Sequence, residues 1–139
     1  MSIFVKDTDL VEITIYYKKH GRRFNAYTEK EFKALDLKED EKKPYETLSL
    51  KMKELTWGLY NQLQEDAMAE DGSGNPQFNV KIYKENRLQK LIKEWDVKEN
   101  EKPIPITPSS ISHLSPDIAE IILKAYDEIS FVDSETEGN

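Results

Sequence analysis

Residues 95–129 read WDVKENEKPIPITPSSISHLSPDIAEIILKAYDEI, the densest series of start and stop signals in the chain. Trp95 closes a helix, and KENEK forms a charged hairpin-like loop. Pro103 and Pro105 then disfavour helix and hold the IPI run extended, because proline fixes φ and biases the residue before it away from the helical region. Thr107-Pro108 and Ser115-Pro116 each set a capping hydroxyl before a proline at the first helical position. The first pair opens a single turn containing Ile111. The second opens a longer helix with Ile118, Ile121, Ile122, Ala125 and Ile129 on one face, and Asp117 and Glu120 beside its positive end. The segment from Lys102 to Ile129 is expected to be an ordered unit packed on the helix that ends at Trp95. It contains no group suited to chemistry.

Upstream, Leu10–Tyr17 (LVEITIYY) is rich in β-branched and aromatic residues. KKHGRR follows, with Gly21 available for a positive φ, so a hairpin is expected that continues through Phe24 and Tyr27. Its basic tip, Lys18, Lys19, Arg22 and Arg23, is read as solvated rather than as an anion site. Thr28 and Glu31 have capping-box spacing, with Phe32 and Leu35 on an apolar face behind them. Residues 36–43 read as an exposed, mobile loop. LSLKMKEL alternates, with Leu48, Leu50 and Met52 on one side, and is expected to pair with the hairpin. Thr56 caps a helix from Trp57 to about Ala69, carried by Leu59, Tyr60, Leu63 and Ala67. EDGSGNPQ reads as a flexible loop. A third helix is expected from about Gln77 to Trp95, carried by Phe78, Ile82, Leu88, Leu91, Ile92 and Trp95.

These elements imply an α+β fold: a small N-terminal antiparallel sheet, hairpin plus one strand, packed with a C-terminal bundle of about four helices. One compact domain is expected over residues 1–132, followed by an acidic disordered tail at 133–139. Residues 1–8 are read as mobile. The 139-residue length suits a single core, and with 37% hydrophobic and 34% charged residues that core is thin.

The net charge of −7 argues against a nucleic-acid binder, which normally carries a basic patch. The 20 Lys and Arg mixed among the acids argue against a DNA mimic. The lack of cysteine excludes disulfides, zinc–thiolate sites and thiol catalysis. No segment reads as a signal peptide or a membrane span, so a cytosolic protein is expected. His20 and His113 have no catalytic partner at motif spacing. The acidic runs at 39–41 and 65–66 lack the alternating oxygens and glycine of a calcium loop, and DGSGN lacks the lysine of a phosphate loop. No enzyme, cofactor or metal site is expected. Trp57 and Trp95 are candidate interface anchors, tryptophan being common at hot spots, but both end amphipathic helices, where core packing is the default.

The order of short phrases adds a further expectation. L-T-W at Leu55–Trp57, a helix ending in KEWDV around Trp95, KPIPIT at Lys102–Thr107 and LSPDI at Leu114–Ile118 follow one another. This order resembles the small tail assembly chaperones, and related tail or neck proteins, of long-tailed bacteriophages. There a tryptophan-containing helix end leads through an acidic-and-glycine loop to K-P-[IL]-P-[IL]-T, and L-P-P-[DE]-[VI] opens the last helix. The likeness covers about residues 47–131. Ser115 departs from it where proline is usual, and Asn100 lies in a loop that often carries glycine. The resemblance implies a non-enzymatic protein in the host cytoplasm that binds the tape-measure protein and keeps its helices soluble until the tail-tube protein replaces it. In that family a programmed frameshift often appends a second domain. The alternative is a structural neck or tail-completion protein that stays in the virion. A homo-oligomer is expected, with partner contacts assigned to Trp57, Tyr60, Trp95 and Ile121.

Overall fold

The expected hairpin and third strand are present, but the sheet they build has a fourth member. A computed structural model describes residues 2–132, and the side chains of all but the last two. The tail expected at 133–139 lies outside the described residues. Strand β1 (Leu10–His20) turns through Gly21, at φ +64°, into β2 (Arg23–Thr28). Glycine takes that left-handed backbone without a Cβ penalty. Strand β3 (Glu46–Lys53) pairs antiparallel with β1, setting Ile15 opposite Leu48, Ile13 opposite Leu50 and Val11 opposite Met52. Those six side chains are all buried on one face. Alternation has thus fixed which face turns inward, since a one-residue slip would expose them all.

The third helix is shorter than expected at both ends. Helix α4 spans Val80–Leu91, and Ile92–Trp95 forms an edge strand, so the sheet order is β2-β1-β3-edge. The helix stops because Ile92 takes an extended backbone (ψ 121°) and pairs with Met52. Its first turn is capped by Asn79, whose side chain accepts the Ile82 amide at 3.1 Å. Pro76–Phe78 therefore lies outside the helix. It pairs with Met68–Glu70 in a short hairpin, so the preceding helix α3 (Trp57–Asp66) also ends earlier than expected. These strands are β4 (Met68–Glu70), β5 (Pro76–Phe78) and β6 (Ile92–Trp95). The EDGSGNPQ loop is the turn of this hairpin, and the Asp71 carboxylate orders it by accepting the Ser73 and Asn75 amides at 2.7 and 2.9 Å.

Lys98–Glu99 (β7) and Lys102–Pro103 (β8) form the charged hairpin, turning through Asn100 (φ 53°) and Glu101 (φ 65°). Helix α5 (Pro108–Ser112) is capped by Thr107, which accepts the Ser110 amide at 3.0 Å. Helix α6 (Pro116–Asp127) starts at its proline, but the Ser115 hydroxyl makes no capping bond. Ile118, Ile121, Ile122 and Ala125 are buried as expected, joined by Leu123 and Tyr126. Ile129, expected on the same face, is 47% exposed in a π-helical turn over Glu128–Val132.

Helix α6 lies chiefly on β2 and β1, while α3 packs on α4. Helix α4 touches α3, α5 and α6, and both α4 and α6 also reach the sheet. Charged contacts fasten α6 to the N-terminal half. Asp117 accepts from Arg23 Nε (2.7 Å) and the Phe24 amide (3.2 Å), and Lys124 donates to Glu31 (2.6 Å). On the sheet's other face, helix α1 (Glu29–Ala34) carries the expected capping box and lays Phe32 on Tyr16, ring centroids 4.0 Å apart. Leu35, expected beside Phe32, is exposed. Residues 36–43, read as loop, contain one exposed helical turn, α2 (Glu39–Lys42).

Candidate interaction surface

Thr56 sets the phase of α3. Its hydroxyl accepts the Leu59 amide at 3.1 Å, so the helix begins at Trp57. Leu63 and Ala67 are fully buried and Leu59 packs against the core. Trp57 lies two residues from Leu59, about 200° around the helix, and so projects outward. It is 76% exposed. Tyr60, one turn on, stacks against it at 5.8 Å with 19° between the ring planes. Leu55 and Thr56 complete a shallow hollow of about 380 Å³.

The four residues expected to meet a partner are therefore not together. Trp57 and the half-buried Tyr60 form one aromatic platform whose indole is exposed. Trp95 is half-buried on β6, opposite Leu50, and its indole Nε1 donates to the Ile104 carbonyl at 2.6 Å. It pins the proline run to the sheet. Ile121 is 8% exposed and faces the core, so it offers little surface to an outside molecule.

Sequence reading missed three other features. Met68 and Phe78 are cross-strand neighbours on the β4–β5 hairpin, exposed together with Val80. Phe78 was expected in a helix; Pro76 and the capping Asn79 are the signals that place it before one. Arg87 is buried between the rings of Tyr83 and Tyr126 and pairs with Asp127, joining α4 to α6. Its position in a charge-rich run hid it. A groove of about 670 Å³ opens where the sheet meets the α5–α6 linker, its floor including Phe24, Leu48 and Ile118 and its rim Glu46, Asp96 and His113. Burial and the neighbouring Glu46 carboxylate raise the Tyr17 phenol above its ordinary range there. The His113 ring bonds the Ser109 carbonyl of its own helix at 2.7 Å, and His20 is exposed on the hairpin.

Electrostatics is concentrated on α6. The Arg23 guanidinium and the Phe24 amide hold Asp117 down to about 2. Burial pushes Glu31 up, but its bonds to Lys124 and Thr28 outweigh that and leave it below the usual carboxylate range. Bonding to Glu31 in turn raises Lys124. These pairings are structural, joining β2 and α1 to α6. Among the described residues no helix is long and apolar enough to cross a membrane. No family model matches the chain, and neither a curated protein nor a solved structure proved similar to it.

Proposed function

We propose that this protein is a non-enzymatic tail assembly chaperone of a long-tailed bacteriophage, which binds the tape-measure protein in the host cytoplasm until tail-tube protein displaces it. The observation that carries the reading is the Trp57–Tyr60 platform. It is a stacked aromatic pair set on a capped helix, with the Trp57 indole open to solvent and Tyr60 half-buried beside it. Exposed aromatics on a rigid element are suited to covering apolar helical surface, because they bring large contact area at small cost in side-chain entropy. The phrase order around Trp57, Trp95 and KPIPIT supplies the family resemblance, and the surrounding charge suits a partner that must stay soluble.

Quantitative mass spectrometry of purified particles beside infected-cell lysate tests this reading. A chaperone is abundant in lysate and absent from finished virions. A stoichiometric amount in virions would contradict the chaperone reading and favour a neck or tail-completion protein.

A further inference from the structure

We infer that the N-terminal arm of one copy docks on the Trp57–Tyr60 hollow of a second copy, giving a two-fold dimer by arm exchange. Residues 2–9 precede β1 as a non-helical arm that exposes Ile3 at 92% and Phe4 at 77%, beside 76% for Trp57. The arm's base is fixed. Lys6 and Asp9 close a turn through Asp9 N to Lys6 O (3.0 Å) and Lys6 N to Asp9 Oδ2 (2.9 Å), and the Glu54 amide donates to the Asp9 carbonyl at 3.1 Å. Glu54 directly precedes Leu55, so the arm's root and the aromatic hollow share one end of the molecule. The hollow is lined by Leu55, Thr56, Trp57 and Tyr60, with no contribution from the arm of the same copy.

Each copy thus presents an apolar plug and an apolar socket side by side, both uncovered. A two-fold axis at this end satisfies both at once, the self-complementary contact that closes a dimer. Aromatic side chains bury about 150–250 Å² each, so covering Phe4 and Trp57 of both copies, with Ile3 and Tyr60, removes on the order of 1,000 Å², the lower bound for a specific contact. The β2 edge offers little competition. Its Phe24 and Thr28 amides are already bonded to Asp117 and Glu31, which blunts pairing with a second sheet. Self-association does not rest on the tape-measure reading; only the corollary that arm and tape-measure helix exclude each other does.

Sedimentation velocity of the full chain over a concentration series, with no partner present, tests the inference. The double variant Ile3→Ser/Phe4→Ser and the single variant Trp57→Ser alter exposed side chains, and circular dichroism checks that both fold. The wild type is expected to dimerise as concentration rises, each variant to weaken that association about tenfold or more. An equimolar mixture of the two variants should recover a heterodimer, because one intact arm then meets one intact hollow. A wild type that stays monomeric throughout overturns the inference. So does a dimer indifferent to either variant. A concentration-independent change in tryptophan fluorescence caused by the arm variant assigns the arm to its own hollow, and overturns exchange as well.

Discussion

Glu101 holds a φ of 65° and Gly21 one of 64°, two hairpin turns meeting the same requirement with opposite residues. A side chain in the left-handed region costs roughly 1–2 kcal/mol, and glycine avoids that at some expense in unfolded-chain entropy. Gly21→Ala should therefore destabilise by about 1 kcal/mol although a Cβ there meets nothing within 4 Å. Glu101→Gly should stabilise by about 0.5–1 kcal/mol. Urea unfolding of both variants checks the pair of signs. Asp117 carries a pH signature. Its folded value lies below its ordinary 3.8, at about 2, so its contribution is present above 3.8 and lost as pH falls through about 2. Asp117→Asn should lower Tm at neutral pH, with the gap to wild type closing between about pH 4 and pH 2. A gap equally wide at both extremes would show that the carboxylate's charge is irrelevant.

At the scale of elements, β1 and β3 were legible because one face is buried and strict alternation follows from that. The capping box at Thr28 and the capping hydroxyl at Thr107 were legible because cap chemistry is local, though the reciprocal Ser110 bond at Thr107 was not foreseen. The boundary between α4 and β6 was not. Leu88, Leu91, Ile92 and Trp95 fit a helical stripe, and only pairing of Ile92 with Met52 turns the chain into a strand. Tertiary pairing there overrides a pattern that the local sequence leaves ambiguous. The platform was half legible. Residues 59, 63 and 67 already define the inward face of α3 and leave Trp57 outside it, while Ile121 and Trp95 needed the sheet to show their burial. Helix α6 supplies the element-scale prediction. Ile122 is fully buried against the sheet, and Ile122→Asp should cost about 3–5 kcal/mol by placing a carboxylate in the core and removing packed area. Thermal denaturation measures this, and an unchanged Tm would contradict α6 as the lid of the core.

For the whole molecule, charge and apolar surface are sorted in a way that bears on function. Lys51 lies between Glu12 and Glu94 on the outer face of the sheet, giving that face a solvated character. The three most exposed of the large apolar residues described, Ile3, Phe4 and Trp57, lie instead on the N-terminal arm and α3. If this protein is the proposed chaperone, its Trp57–Tyr60 platform holds tape-measure helices in solution. The soluble fraction of a long-tailed phage's tape-measure protein, co-expressed with wild type, with Trp57→Ser, or alone, tests this. A large soluble fraction is expected to co-purify with the wild type and to persist at moderate salt, where screening over a few ångströms weakens purely ionic contacts. Most of that fraction should be lost with the Trp57 variant. Equal solubility in all three cultures would contradict the claim.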